Sequence, residues 1–127
     1  MERFEPSIKL EHADKRGEIY SIVLPDGHEL MLLHSLPGAM RGGHSHDCDE
    51  IVVVLSGKMR YHKTMADGKE WKSDLTDGES SFNPAGQIHM GTFLKDTWLV
   101  EYKLAKKGDY KQENYAPYRE QVEASAL

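Results

Sequence analysis

From Glu18 onward the chain alternates short runs rich in β-branched and aromatic residues with clusters of Gly, Pro, Asp and Asn, and few stretches keep a helical period. That alternation predicts an all-β body. EIYSIVLP (Glu18 to Pro25), the pair Asp26-Gly27 and HELMLLHSLPG read as two strands joined by a tight turn, an antiparallel hairpin. EIVVVLSGKMRYHKTM (Glu50 to Met65) is the most β-branched part, and Gly57 interrupts it where a bend or bulge lets one long strand serve two sheets. ADGKE turns the chain back. WKSDL, SSFNPAG, QIHMGTFL and TWLVEYKLA follow at the spacing of a sandwich or small barrel, for roughly seven to nine strands in all.

After Ala105 the composition shifts, and Pro117 is placed to open a short helix carrying Tyr118, Val122 and Ala126 along one side, packed on the barrel or on a partner subunit. The first fifteen residues are polar and carry no pattern, and neither a repeat nor a low-complexity segment interrupts the chain. One domain over residues 1–127 is expected, with a barrel core over about 17–105 and a tail over 106–127.

Composition narrows the class. A chain of 127 residues with 39% hydrophobic and 29% charged residues suits a soluble globular domain, and it contains no apolar run long enough to span a bilayer. MERFEPSIKL has no apolar run of secretory length, so the cytoplasm is the expected compartment. The single cysteine, Cys48, has no intrachain partner, which agrees with a reducing environment. A net charge of -5, with only the short basic pairs Lys15-Arg16 and Lys106-Lys107, argues against nucleic acid as a partner.

The candidate chemistry begins in GGHSHDCDE, Gly42 to Glu50. If Gly43 to Val54 is one strand, alternation sends His44, His46 and Glu50 to the same face as Val52 and Val54. Imidazole nitrogens and a carboxylate held at about 2.0 to 2.2 Å suit a transition metal. The same residue types populate solvated turns, so on this stretch alone a metal site and a polar loop both stay open.

A second segment, GESSFNPAGQIHM, changes the balance. Together the two stretches resemble the cupin superfamily. Its first motif, G(X)5HXH(X)3-4E(X)6G, is filled by Gly38, His44, His46, Glu50 and Gly57. Its second, G(X)5PXG(X)2H(X)3N, is filled by Gly78, Pro84, Gly86 and His89, with Phe93 standing where the motif has asparagine. At average usage the four glycines and one proline alone align by chance about once in a million placements. The resemblance implies a jelly-roll barrel, also described as a double-stranded β-helix, and implies His44, His46, Glu50 and His89 as ligands of one divalent transition metal per chain: Fe, Mn, Ni, Co or Zn. A six-coordinate ion with four protein ligands keeps two positions for substrate, water or dioxygen. The resemblance further implies a homodimer, and pairing would cover an exposed sheet edge.

Around that set the sequence offers further candidates. Arg41 is placed to anchor a carboxylate or phosphate through its planar fork, or to be solvated in a turn. Phe93 is a candidate pocket wall. Tyr20, Tyr61 and Tyr102 lie on expected strands, where they either pack or orient a substrate, and Tyr61 is the candidate to move a proton with Glu50. His34 shares a face with Leu30 and Leu32 and either packs there or joins the catalytic group. Cys48 shares parity with the histidines and is either aimed at the site or inert on a turn.

The leading functional expectation is a metal-dependent enzyme acting on a small molecule, a dioxygenase on an enol, keto or aromatic-type compound. One alternative is a metal-assisted isomerase, epimerase or lyase on a sugar or organic acid, and DKRGEIYSI before RGGHSH is faintly similar to cupins acting on nucleotide sugars. The other is a non-catalytic module that binds a metal or a small ligand. Neither nucleic acid nor a membrane is an expected partner.

Overall fold

A computed structural model describes residues 7–65 and 67–125. Ala126, expected on the helix, and Ala66, expected in a turn, lie outside the described residues. The strands are β1 (Lys9–Asp14), β2 (Gly17–Val23), β3 (Glu29–Ser35), β4 (Met40–His46), β5 (Glu50–Ser56), β6 (Lys58–Thr64), β7 (Glu70–Thr76), β8 (Ser80–Asn83), β9 (Ile88–Phe93), β10 (Thr97–Lys103) and β11 (Gln112–Asn114), followed by the helix α1 (Ala116–Ser125). They form a six-stranded sheet ordered β1-β2-β3-β10-β5-β8 and a five-stranded sheet ordered β11-β4-β9-β6-β7. The pairings are antiparallel, including the expected β2–β3 hairpin.

Gly57 acts as the sequence suggests. At φ 113° it lets β5 end in the six-stranded sheet and β6 start in the other. The inward faces of the two sheets then meet, and alternating residues fill the space between them: Val52 and Val54 from β5, Leu99 from β10, and Met59, Leu75 and Phe93 from the facing sheet. Period-two alternation has become a two-layer core. Among the described residues no helix is long and apolar enough to cross a membrane.

The described residues form more strands than the seven to nine expected, for a physical reason. Every residue of β1 is exposed, because it is the edge of its sheet and has no inward apolar face to leave a pattern. β11 is three exposed residues long and joins the edge of β4, pairing Gln112 with His46 and Asn114 with His44. The tail therefore packs on the barrel. Tyr115 N donates to Gly43 O at 2.8 Å, and Arg119 Nη1 donates to Gly42 O at 3.1 Å.

Two local features set up the site. The reading of Gly43 to Val54 as one strand is corrected: β4 ends at His46, and the turn is tied down by Asp47 Oδ1 accepting from Lys111 N and Asp49 Oδ1 accepting from Ala85 N. Glu50 thus opens β5 in the opposite sheet and faces the histidines across the core. The second feature is a bulge. Gly42 pairs with Met90 and His44 with His89, so Gly43 is an extra residue, and both glycines hold positive φ, 103° and 81°. One added residue reverses strand parity, so Arg41 and His44, three positions apart, both line the cavity between the sheets.

Candidate metal centre

His44 and His46 project from β4 and His89 from the adjacent β9, where it stands directly opposite His44. One nitrogen from each ring lies within 4.8 Å of the others, so the three could hold a metal ion. Glu50 approaches from the other sheet, with Oε1 3.4 Å from His89 Nε2 and Oε2 3.9 Å from His46 Nδ1.

The hydrogen bonds decide which nitrogens are free. The Gln87 carbonyl can only accept, so His89 Nδ1 carries the proton in their 3.2 Å contact and Nε2 keeps a lone pair. Gln112 gives its amide N–H to Asn114 Oδ1, which turns its oxygen toward His46 Nε2 at 3.2 Å and leaves His46 Nδ1 as the bare nitrogen. His46 Nδ1, His89 Nε2 and Glu50 Oε2 are all buried and all lack a hydrogen-bond partner among the described residues. Buried polar atoms are normally paired. Two orphaned imidazole nitrogens meeting beside Glu50, whose Oε2 has only the Lys103 ammonium at 3.5 Å, with both rings oriented from behind, fit a metal ion.

Burial, with the neighbouring histidines adding to it, pushes His44 and His89 down to about 3. His46 is lowered by burial and by Lys103. The three rings are neutral and able to coordinate at physiological pH.

Glu50, 1% exposed, sits in a polar cluster. Asn83 stands opposite it on β8 and donates from Nδ2 to Glu50 Oε1 at 3.0 Å and to Tyr61 Oη at 2.8 Å. Lys103 Nζ lies 3.5 Å from Glu50 Oε2 and 3.8 Å from Glu101. Burial raises the Glu50 carboxyl above its ordinary range against the pull of Lys103, and burial with the nearby Glu50 charge lifts Glu101 to about 7. Burial works against the Lys103 ammonium, but Glu101 and Glu50 outweigh it and its pKa is raised. Tyr61 is held well above the usual phenol range by burial and by Glu50, so it stays protonated.

A cavity of about 550 Å³ opens onto this group. His44, His46, His89, Tyr61, Arg41 and Phe93 line it, as do Glu101, Lys103 and Arg119, and its apolar wall includes Ile19, Met31, Leu33 and Leu99.

Four of the candidate residues lie elsewhere. His34 does not face the pocket: Leu33 and Ser35 point inward on β3, so His34 points outward, bridging Glu18 at 2.8 Å and Asp96 at 2.7 Å and stacking on Trp98. Tyr20 stacks on the same tryptophan, at 6.4 Å. Tyr102 stacks on His28 at 5.7 Å, because Leu99, Glu101 and Lys103 take the inward positions of β10. Cys48 sits half-buried on the Asp47–Asp49 turn, where burial pushes its thiol up, and it does not line the cavity.

Conversely, the sequence reading missed Asn83, Glu101, Lys103 and Gln112. A signal existed for two of them: in TWLVEYKLA, Glu101 and Lys103 share the parity of the buried Leu99. The other two enter only through strand pairing, Asn83 opposite Glu50 and Gln112 opposite His46.

The lowered histidines make a pH prediction. In the unfolded chain His44 and His89 titrate near 6.5, in the folded metal-free protein near 3. Between those values the unfolded chain binds more protons, so their contribution to stability is complete above about 6.5 and is lost as pH falls toward about 3. Thermal unfolding of metal-free protein should show Tm falling steadily over the acid half of that window, with a shallower fall in His44→Gln. A flat profile would mean that the rings are not held neutral by burial.

No protein-family model and no curated protein matches the chain. Solved structures do. The capsular polysaccharide assembling protein CapF from Staphylococcus aureus aligns at TM-score 0.71 and 19% identity, over 89% of this chain and 32% of that one. The 7S globulin of Momordica charantia aligns at TM-score 0.70 and 16% identity, over 85% of this chain and 35% of the other. A variant of oxalate decarboxylase from B. subtilis aligns at TM-score 0.64 and 18% identity, over 86% and 30%. The chain thus spans about a third of the length of the solved structures it matches. All three have the cupin fold, and the two facing antiparallel sheets of this chain, closed around a histidine-lined cavity, are a cupin jelly roll.

Proposed function

We propose that the chain is a metal-dependent enzyme that holds one divalent transition metal through His44, His46, His89 and Glu50. In this reading it acts on a small organic molecule in the adjoining cavity, as a dioxygenase on an enol, keto or aromatic-type compound. The observation that carries the reading is the convergence of His46 Nδ1 and His89 Nε2, both buried and without a hydrogen-bond partner among the described residues, on the buried Glu50 carboxylate beside a cavity with an apolar wall. When bound, the metal supplies Lewis-acid polarisation of substrate oxygens and, if redox-active, the means to activate dioxygen.

The remaining work falls to the protein. Ile19, Met31, Leu33 and Leu99 exclude water from the reacting end and accept the carbon skeleton of the substrate. Asn83 donates to the oxygen of Tyr61, so the phenolic proton is left to be given to a substrate oxygen in the cavity. Gln112 and the Gln87 carbonyl keep His46 and His89 from turning.

A metal-assisted isomerase or lyase is the second reading, favoured by Glu101. This carboxyl lines the cavity and pairs with Lys103, and burial with the Glu50 charge raises it well above the ordinary carboxylate range, which suits a group that takes and returns a proton. The likeness to oxalate decarboxylase supports it as well.

One experiment separates the two. Metal-loaded protein is incubated with a panel of enols, 1,3-diketones and catechols in a sealed oxygen cell and, in parallel, in deuterated water without oxygen. The expected result is oxygen uptake matching substrate loss, both oxygen atoms entering the product. Deuterium uptake without oxygen consumption would transfer the assignment to the isomerase or lyase, and tight metal binding with neither activity to a binding module.

A further inference from the structure

Arg41 is 8% exposed and lines the same cavity as the three histidines. A guanidinium carries its charge at every working pH and offers five N–H donors. Here Nε donates to Ser35 Oγ at 2.8 Å and Nη2 to the His34 carbonyl at 3.4 Å, and among the described residues Nη1 donates to nothing. These two bonds fix the plane of the fork without neutralising it.

The carboxylates that act on Arg41 are Asp14, Glu101 and Glu18, and each is engaged elsewhere. Asp14 holds Arg16 at 2.8 Å, Glu18 holds His34 at 2.8 Å, and Glu101 pairs with Lys103 at 3.8 Å. A cation more than nine-tenths buried, with an immobilised fork and, among the described residues, a free Nη1 and no ion-pair partner, is an anion receptor facing a cavity.

We propose that Arg41 is the anchor for a carboxylate of the substrate, so that the site takes small organic acids. The inference rests on the reading of the cavity as a substrate site beside a metal centre, and it adds the substrate class. A carboxylate fits better than a phosphate because one unneutralised positive charge matches one negative charge. A phosphate near -2 would need a second cation, and the neighbouring Arg16 is already matched by Asp14. The anchor also sets a length. Arg41 pairs with Gly91 and His44 with His89, two residues apart on β9, or about 7 Å along the strand. A substituted benzoate or a short-chain acid bridges that span with its acid group on Arg41 and its reacting end at the histidines. The bulge at Gly42 and Gly43 makes this possible by turning Arg41 to the face of the ligands.

The test is calorimetric binding of benzoate, of its neutral isostere benzamide, and of inorganic phosphate, to metal-loaded and to chelator-stripped protein, with metal content measured on each sample. The metal-free arm matters because a carboxylate also binds metals. The wild type should bind benzoate at least about tenfold more tightly than benzamide in both arms, and Arg41→Met should bring the two within about twofold. Where Arg41→Met does not fold, Arg41→Lys decides, since losing the fork should reduce the preference by at least about threefold. No preference in stripped wild type, or a preference unchanged in either variant, overturns the anchor; phosphate binding more tightly than benzoate overturns the carboxylate assignment. A chain that takes up no metal yet prefers benzoate through Arg41 would sink the metal-enzyme reading and leave the anchor standing.

Discussion

Replacing His89 by alanine should weaken metal binding by more than about 100-fold while the barrel stays folded. Removing an outer hydrogen-bond partner of a ligand typically costs about 10- to 100-fold in affinity, and loss of a ligand itself goes beyond that. His89 faces both His44 across the β4–β9 pair and Glu50 from the other sheet, at 3.4 Å from Oε1, so its removal opens the donor set on two sides. The apolar core of Val52, Val54, Met59, Phe93 and Leu99 does not include it, which is why folding should survive. His34→Ala is the matched control. That histidine is held by Glu18 and Asp96 on the outer face, and its loss should leave metal affinity unchanged. Chelator competition measures both variants. Equal affinity in His89→Ala and wild type would remove His89 from the ligand set.

Gly42→Ala should damage the same site without touching a donor atom. Gly42 has φ 103°, and a Cβ there would stand 2.7 Å from the carbonyl oxygen of His89 and 3.1 Å from Met90 Cα. Both are backbone atoms of the paired strand, so relief requires β4 and β9 to move apart where they carry His44 and His89. A side chain in the left-handed region costs about 1 to 2 kcal/mol before any clash, and the total should exceed about 2 kcal/mol, with metal affinity falling alongside. Gly86→Ala isolates the conformational part, because Gly86 also has positive φ but nothing lies within 4 Å of its Cβ position. Thermal unfolding and chelator competition on both variants test the difference. Equal losses in the two, or unchanged metal affinity in Gly42→Ala, would contradict the role given to the bulge.

These two cases show what a linear sequence carries. His44, His46, Glu50 and His89 stood out because motif spacing reflects turns that are local in the chain: Gly57 between sheets, and Gly86 three residues before His89. Alternation found the core strands for the same reason, since each inward residue is two positions from the next. What failed was non-local. Glu50 was expected on the histidine strand and comes from the facing sheet. Tyr102 was a candidate by residue type and His34 by sharing a face with Leu30 and Leu32, while the adjacent Glu101 and Leu33 took the inward positions. Gln112 reaches His46 across 66 residues of sequence, through a three-residue strand with no apolar face of its own. Asn83 likewise meets Glu50 only because β8 pairs with β5. Register between strands and membership of a sheet are properties of the assembled barrel, and they selected the polar groups around the site.

The most direct measurement is elemental analysis of the untagged wild-type protein purified without chelator, followed by loading with Fe, Mn, Ni, Co or Zn in turn. About one ion per chain, as purified or after loading, with a raised Tm in the loaded form, is the predicted result. A protein that remains empty, and whose Tm none of the five ions shifts, would contradict a metal centre at His44, His46, His89 and Glu50.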